Sequence, residues 1–369
     1  MTDPARYSPL HDIHVAAGAS FTDFAGWQMP VRYTSDLAEH HAVRTAAGIF
    51  DLSHMAEILV LGPQAADALD YALAGKLSAI AIGQAKYSLL LSPEGGIIDD
   101  LVVYRTGDDR FLVVANASNR SVVARELLER TVSFDCDVFD ESDDIALIAV
   151  QGPKSFEILS QVVGIDAPGL GDLKYYWSIP GHFFEHEMLV ARTGYTGEDG
   201  YELYVAPDVA ATLWAAITDT GAGSGLVPAG LASRDTLRLE AGMPLYGHEL
   251  GLGTFPVQAG LGRVPNLTKE FIGRTALEAG PSAGARVLVG LQAEGKRAGR
   301  ADYPVLDGDT EVGVITSGAL SPTLGYPIAM AYVDVAVSGI GTELQVDVRG
   351  SRVAASVVQL PFYKKENHG

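Results

Sequence analysis

The sequence predicts an α+β protein made of two similar units, followed by a small all-β domain. Two stretches, 56–130 and 145–218, repeat one order: a strand, a Gly-Pro pair, a helix, further strands and a second helix. From about Ala285 the pattern changes to short alternating segments with glycine-rich turns, which is typical of a small β-barrel. The alternative for the repeated order is coincidence, since many α+β chains contain such sequences of elements.

Each element of the first unit is predicted from the spacing of its apolar residues. Strands alternate apolar and polar positions, whereas helices repeat apolar positions every three or four residues. A Gly-Pro pair favours a helix start, because proline already has the φ of the first helical turn. The predicted elements are a lead-in helix at 35–44, strands at 56–61, 86–91, 97–104 and 111–115, and helices from 63 to about 74 and at 119–130.

The second unit and the last domain are predicted in the same way. An Asp199-Gly200 hairpin turn is expected between two strands, and Asp208 is expected to cap the helix that follows them. Gly242 is expected to end a later helix. The predicted elements are strands at 145–150, 187–193 and 200–205, helices at 153–163, 208–218 and 229–241, and barrel strands at 286–293, 311–316, 328–333, 343–348 and 352–358.

Two adjacent aspartates, Asp99 and Asp100, lie in the predicted strand at 97–104, directly after a Gly-Gly turn. Alternation places Asp100 on one face with Val102 and Tyr104, and Asp99 on the other face. The apolar neighbours predict a strand that is covered on both faces, where an unpaired carboxylate is unfavourable. One of the two carboxylates is therefore either a solvated charge at the strand end or a group that faces a polar ligand.

Polar side chains also share faces in the second unit. Glu202 and Tyr204 lie on one face of the strand at 200–205, whereas Arg234 and Arg238 lie four residues apart on one face of the helix at 229–241. The spacing leaves open whether these arginines are solvated charges or bind a ligand.

Composition narrows the classes of function. The formal charge of -20 argues against nucleic acid or an anionic membrane as the main partner. No apolar run has membrane-spanning length, and the first residues lack the apolar segment of a signal peptide. The single cysteine, Cys136, excludes an internal disulfide and suits a cytoplasmic protein; its phase with apolar residues predicts a core position. No metal site is expected, because no histidine pair has metal-binding spacing, and no nucleotide-binding glycine motif occurs.

Six segments resemble, in order, those of the aminomethyltransferase (T-protein) family of the glycine cleavage system. The resemblance extends over nearly the whole chain. Folate-dependent demethylating oxidases share several of the segments, but this chain has no flavin-binding dinucleotide motif. The segments are 24–27 (FAGW), 50–55 (FDLSHM), 95–104 (GGIIDDLVVY), 194–202 (GYTGEDGYE), 233–242 (SRDTLRLEAG) and 316–325 (TSGALSPTLG).

The resemblance implies a fold and a reaction. The fold is a three-domain ring of two related α+β units with antiparallel sheets and a C-terminal all-β barrel. The reaction transfers the one-carbon unit of an aminomethyl-lipoyl H protein to tetrahydrofolate, the co-substrate, and yields methylenetetrahydrofolate, ammonia and dihydrolipoyl H protein. The expected domains are a folate-binding unit at 1–50 plus 140–265, a unit with the catalytic aspartate at 51–139, a linker at 266–284 and the barrel at 285–369.

The resemblance also assigns residues. Asp100 matches an essential aspartate near the reacting folate nitrogens, Glu202 and Tyr195 match a pair that holds the pterin, and Arg234 matches a folate-site arginine. A pterin has an amino group beside a ring N–H, and one carboxylate can accept from both. The other expected folate-binding residues are Met55, Tyr87, Tyr104, Asn116, Tyr175, Tyr176 and Tyr363.

The chain departs from the family pattern at Arg263-Val264-Pro265, where many members have a tryptophan, and this affects how the lipoyl arm or folate tail would be packed. Two alternative functions are folate-dependent demethylation of N-methylglycines with an oxidase partner, and non-catalytic folate binding in iron–sulfur assembly. The second requires a cysteine in a Lys-Gly-Cys-Tyr-type motif, and Cys136 has no such context.

Overall fold

A computed structural model describes residues 5–365 of the chain. Its helices are α1 His11–Ala16, α2 Asp36–Thr45, α3 Ala65–Ala72, α4 Arg120–Thr131, α5 Ser155–Leu159, α6 Pro207–Gly221, α7 Leu231–Glu240 and α8 Arg274–Ala279. Its strands are β1 Ser20–Phe24, β2 Trp27–Arg32, β3 Ala47–Asp51, β4 Ala56–Leu61, β5 Ala85–Leu91, β6 Ile97–Gly107, β7 Arg110–Ala115, β8 Asp137–Asp140, β9 Ala146–Gln151, β10 Ile165–Asp166, β11 Ser178–Phe183, β12 His186–Ala191, β13 Gly200–Val205, β14 Leu226–Pro228, β15 Val287–Ala293, β16 Pro304–Asp307, β17 Thr310–Leu320, β18 Pro327–Val333, β19 Glu343–Val348 and β20 Ser351–Val358.

The chain divides into two compact units. The first comprises Met1–Ala72, Lys76–Ser88 and Leu101–Arg234, and the second comprises Leu73–Gly75, Leu89–Asp100 and Asp235–Gly369. The domain boundaries expected from the family resemblance are a different division of the chain, and they stay predictions.

The first unit contains a seven-stranded sheet in the order β10-β11-β12-β13-β9-β3-β14. Within it β14 pairs with β3 in parallel. Tyr201, Leu203 and Val205 point from β13 into the apolar core, where Trp214 of α6 also lies. Alternation then turns Glu202 and Tyr204 to the opposite face of β13, as the sequence predicts.

A five-stranded sheet has the order β5-β6-β7-β4-β8. Its antiparallel register places Val102 of β6 opposite Val114 of β7, and Val114 opposite Glu57 of β4. Directly opposed residues share a face, so these three side chains form one row across the sheet. Tyr104 lies on the same face, two residues beyond Val102.

Two glycines show that the repeated order is structural. Gly62 follows β4 with φ +143°, and Gly152 follows β9 with φ +133°. A Cβ atom at Gly62 would lie 2.6 Å from the Asp135 carbonyl oxygen, and one at Gly152 would lie 2.5 Å from the Ala46 carbonyl oxygen. Both repeats therefore leave the strand through the same glycine-dependent conformation.

In the second unit, six strands close into a barrel in the order β15-β18-β17-β16-β19-β20. Its core consists of apolar side chains that alternate inwards, among them Leu291, Ile315 and Val346. The predicted fold class, with two related α+β parts and an all-β barrel, is confirmed. Strand β16 was not predicted, because its short apolar stretch runs directly into the turn at Gly308.

Four local predictions are wrong. The helix predicted at 153–163 ends at Leu159 as α5. The residues after Leu159 continue in turns with i→i−3 hydrogen bonds, and these turns also bury Val162. Asp208 is in the first turn of α6, and Pro207 takes the first helical position. Cys136 is only half-buried, because it lies beside an edge strand. The Asp-Gly hairpin turn is replaced by a longer loop at 192–199, which the next subsection describes.

Candidate active site

A chain of hydroxyl groups leads to the Glu202 carboxylate in the first unit. The Tyr204 hydroxyl donates to the Tyr104 hydroxyl at 3.2 Å, and the Tyr104 and Thr193 oxygens are 2.9 Å apart. Thr193 donates to Glu202 Oε2, and Tyr104 reaches the same oxygen at 3.4 Å. The arrangement joins β6 to β13 and to the start of the loop that follows β12.

The two tyrosines of this chain of hydroxyl groups, Tyr104 and Tyr204, are buried. Their hydroxyl groups remain neutral and can donate hydrogen bonds. Burial raises the pKa of Tyr104 well above its usual value, and the Glu202 charge adds to this increase. Burial also raises the pKa of Tyr204, with a further contribution from the Tyr104 hydroxyl. Glu202 itself is half-buried. Both hydroxyl contacts use Oε2, which leaves Oε1 available to a ligand.

The loop at 192–199 is closed by polar contacts. Arg192 donates to the two carboxylate oxygens of Asp199 at 2.9 and 2.6 Å. Thr196 donates to the buried Gln151 side chain at 3.0 Å. These contacts hold a loop in place of the predicted hairpin turn, and they fix the positions of Thr193 and Tyr195.

Arg234 lies on α7 with its guanidinium carbon 4.9 Å from the centre of the Tyr195 ring, a cation–π distance. Its Nη1 atom is buried and has no hydrogen-bond partner among the described residues. Burial lowers the pKa of the guanidinium, and the Glu202 charge opposes this effect. A guanidinium keeps its charge in proteins, so Arg234 presents an unused cationic donor.

His54 is a further buried group with unused hydrogen-bonding capacity. Its Nδ1 atom has no partner in the described part of the chain. Burial lowers the pKa of His54 to about 4, so the ring is neutral at pH 7. The preceding turn is anchored by Asp51, which binds Ser8, His14 at 2.8 Å and the Ser53 N–H at 2.9 Å. The Asp51 carboxylate thus anchors the turn that leads to His54.

The other residues predicted in the first unit are partly accessible. Met55, Tyr87, Asn116 and Tyr176 are half-buried, and Tyr175 is 54% exposed. The rings of Tyr175 and Tyr176 form an edge-to-face pair with centres 4.9 Å apart. Tyr176 has φ +62°, an uncommon value for a tyrosine, and its backbone is held by bonds to Ala85 and Arg192. Such strain is common where a side chain is positioned for a ligand.

Asp100 and Tyr363 belong to the second unit. Asp100 is half-buried in β6, whereas its neighbour Asp99 is completely buried, so neither is a freely solvated strand-end charge. The Tyr363 N–H donates to the Glu240 carbonyl at 2.8 Å, and its side chain is half-buried.

Arg238 is not a solvated charge either. Its side chain is buried and donates to Glu249 at 3.0 Å, Asp235 at 2.8 Å and Ser317 at 2.8 Å. Arg238 therefore has a structural role in the second unit.

The comparisons with known proteins decide the family. The GCVT N-terminal domain matches residues 10–269, and the glycine cleavage T-protein C-terminal barrel domain matches residues 286–364. This chain belongs to the glycine cleavage T-protein family. The second match covers the closed barrel, and the first includes every predicted site residue except Tyr363.

Similar proteins match nearly the whole chain. An aminomethyltransferase of Cutibacterium acnes is 59% identical over 98% of this chain and 99% of its own length. One of Saccharopolyspora erythraea is 54% identical over 99% of this chain and 100% of its own length. The crystal structure of glycine cleavage system aminomethyltransferase T from Bartonella henselae has a TM-score of 0.89 and 37% identity, and covers 97% of this chain and 98% of that one. The predicted family and enzyme class are confirmed.

Sequence reasoning did not single out Thr193, Tyr204, His54 or Glu57 as candidate site residues. Tyr204 was detectable, because alternation puts it on the same face as Glu202. The positions of Thr193 and His54 depend on the conformation of loops, and loops have no periodic pattern in the sequence from which these positions could be predicted. Glu57 has the expected strand position but an unexpected degree of burial.

Other features of the T-protein chain lie apart from these residues. A pocket of about 380 Å³ in the first unit is lined by Arg6, Trp27 and Asp143 among others, and none of the predicted site residues contributes to it. No helix within 5–365 is long and apolar enough to cross a membrane. Over the same range, no cluster of three or more His, Cys, Asp or Glu side chains could hold a metal ion.

Proposed function

We propose that this T protein transfers the one-carbon unit of an aminomethylated lipoyl arm, carried by an H protein, to tetrahydrofolate. The observation that carries the proposal is the pair of unused polar atoms in the first unit, Glu202 Oε1 and Arg234 Nη1. One is an acceptor for ring N–H groups, and the other is a donor for an anionic or carbonyl oxygen. A tetrahydrofolate molecule offers both kinds of partner.

The reaction involves no oxidation or reduction. The carbon–sulfur bond to the lipoyl arm and the carbon–nitrogen bond to the leaving ammonia break. Two carbon–nitrogen bonds to folate nitrogens form in their place. The two protons that leave those nitrogens end on the lipoyl sulfur and on ammonia, so the products are methylenetetrahydrofolate, dihydrolipoyl H protein and ammonia. No nucleophile of the enzyme is needed.

We assign the pterin ring to Glu202. Because Thr193 and Tyr104 already reach Oε2, the pterin amino group and ring N–H would use Oε1 and the remaining capacity of the carboxylate. The hydroxyl chain from Tyr204 fixes the carboxylate before the ligand arrives, which reduces the entropy lost on binding. Met55, Tyr87, Asn116 and Tyr195 would surround the ring.

Arg234 would bind an oxygen of the folate through Nη1, while Tyr195 keeps the guanidinium plane in place. Tyr175, Tyr176 and Tyr363 are assigned to the aminobenzoyl and glutamate end. Exposure of 54% at Tyr175 suits a residue that contacts a flexible tail.

Asp100 is assigned the catalytic role. A carboxylate near the reacting nitrogens would stabilise the positive charge that develops on carbon and nitrogen, or accept a proton. Its partial exposure in β6 is compatible with either role. The cytoplasmic location predicted from the sequence stays a prediction.

The direct test is to mix the purified protein with aminomethylated H protein and tetrahydrofolate and to measure ammonia. The proposal predicts ammonia release that requires all three components, with an equal amount of methylenetetrahydrofolate. Tetrahydrofolate binding without ammonia release would instead indicate a folate-binding protein of another function. Demethylation of an N-methylglycine in the presence of an oxidase would contradict the proposed substrate.

A further inference from the structure

Glu57 is a carboxylic acid that the mechanism above does not use. Its backbone in β4 is fixed, because the Glu57 N–H donates to Ser142 Oγ at 2.9 Å and the Glu57 carbonyl accepts from the Glu141 N–H at 2.9 Å. The side chain is completely buried, at 0% exposure. Neither carboxyl oxygen has a hydrogen-bond partner among the described residues.

Such a group is unfavourable in a folded protein. A buried polar group without a partner destabilises the fold, and a buried unpaired charge does so more strongly. Burial accordingly raises the pKa of Glu57 well above its usual value, so the carboxyl group is neutral over a wide pH range. Replacement by an apolar side chain would relieve this penalty, which makes the glutamate a candidate for a functional role.

The charged groups around Glu57 leave it in the neutral form. Arg120 of α4 is the nearby cation, but its three nitrogens already donate to Asp140 and Asp143 at 2.7–2.9 Å. Asp140, Asp143 and Glu202 raise the pKa of Glu57, whereas Arg120 lowers it.

Glu57 lies on the sheet face that carries the hydroxyl chain. It is in one row with Val114 and Val102, and Tyr104 follows on the same face. Glu57 and Glu202 also act electrostatically on Tyr204, whose hydroxyl donates to Tyr104. The neutral acid therefore lies on the sheet face that carries the hydroxyl chain and within electrostatic range of the Glu202 carboxylate.

We propose that Glu57 is a further binding residue for the reduced pterin, and that its carboxyl O–H donates to a ring acceptor while Glu202 accepts from the ring donors. A neutral carboxyl group offers a donor beside an acceptor, whereas an ionised one offers acceptors only. A pterin amide edge has the complementary carbonyl oxygen and N–H. Since the carboxyl group is closed to solvent here, binding includes a rotation of the Glu57 side chain.

This inference rests on the proposed function, and infrared difference spectroscopy tests it directly. The infrared spectrum of wild-type protein minus that of Glu57→Gln at pH 7 should show the carbonyl band of one protonated carboxylic acid. Tetrahydrofolate should shift this band, and so should a tetrahydropterin that lacks the aminobenzoyl-glutamate tail. A band that neither compound moves would overturn the inference, and a shift with tetrahydrofolate alone would overturn the assignment to the ring.

Calorimetry provides an independent readout. Glu57→Met should weaken tetrahydrofolate binding about tenfold, whereas Glu57→Gln, which keeps a donor and an acceptor, should stay within about threefold of wild type. Glu57→Met should also melt at a higher temperature, because it removes a buried group that lacks partners. Because the pKa is raised on folding, this advantage should grow as pH rises from about 4.5.

The outcomes separate the two proposals. If wild-type protein does not bind tetrahydrofolate, the proposed function fails and the inference fails with it. If wild-type protein binds and turns over normally but Glu57→Met has wild-type affinity, only the inference is wrong. If Glu57→Met does not fold, the infrared band and its response to the two ligands still decide the question.

Discussion

Arg234 and Arg238 lie one turn apart on α7, yet their guanidinium groups differ in how fully their N–H donors are used. Arg238 donates from Nε, Nη1 and Nη2 to second-unit side chains. Arg234 stacks on Tyr195 in the first unit and leaves Nη1 without a partner. A protein that buries a polar atom without a partner loses stability unless a ligand or water supplies one. Two arginines of the same type and one helical turn apart therefore differ in the hydrogen-bonding capacity that each guanidinium leaves for a ligand.

The largest expected effect concerns Arg238, whose three guanidinium nitrogens all donate to side chains. Arg238→Met should lower the free energy of unfolding by about 3–5 kcal/mol, because it leaves the buried Glu249 carboxylate without its cation. Urea denaturation would measure this loss. Arg274→Met, which removes ion pairs with the more exposed Glu270 and Glu278, is the control and should lose about 1 kcal/mol or less. Equal losses in both variants would contradict the structural role assigned to the buried Arg238 side chain.

The second prediction concerns His54, whose buried ring has an unused Nδ1 atom. Its pKa falls from 6.5 in the unfolded chain to about 4 in the fold, so the unfolded state binds the proton more readily. Stability should therefore fall by up to about 3 kcal/mol as pH decreases from 6.5 to 4. In His54→Gln, this fall in stability between pH 6.5 and 4 should be absent. In His41→Gln, which changes an exposed histidine, it should be present as in wild type. Denaturation curves at several pH values in this range provide the measurement.

The sequence predicted the elements better than the contacts of the site. Strands β4, β13 and β19 have the predicted bounds, because their alternation is regular. Strand β11 was missed, because Pro180 and Gly181 interrupt its pattern. Motif resemblance supplied Glu202 and Arg234 as site residues. Their actual partners, such as Thr193 at the start of a loop, depend on long-range packing that local spacing does not encode.

The third prediction extends the comparison to Asp100, a second-unit residue. Asp100→Asn keeps the shape but removes the charge, so turnover should fall about 100-fold or more, equivalent to about 2.7 kcal/mol in the barrier. Tetrahydrofolate binding should change little. Asp99 is unsuitable as a control because it is fully buried, so the exposed Asp109→Asn serves instead. Unchanged turnover in Asp100→Asn would remove the catalytic assignment.

The fourth prediction concerns the acceptor of the first unit. Glu202→Gln leaves one pterin donor without an acceptor, and tetrahydrofolate affinity should weaken by about 1.5–3 kcal/mol. Isothermal titration would measure it, with the exposed Glu185→Gln as the matched control. Wild-type affinity in Glu202→Gln would place the pterin elsewhere.

Tetrahydrofolate titration of Arg234→Met, combined with denaturation of the same sample, measures what the unused Nη1 atom contributes to binding and to stability. Because Nη1 donates to no described residue, its removal leaves no protein acceptor unpaired at that atom. We expect an affinity about tenfold or more weaker, with a free energy of unfolding equal to or above that of wild type. Wild-type affinity, together with a loss of stability like that of Arg238→Met, would contradict it.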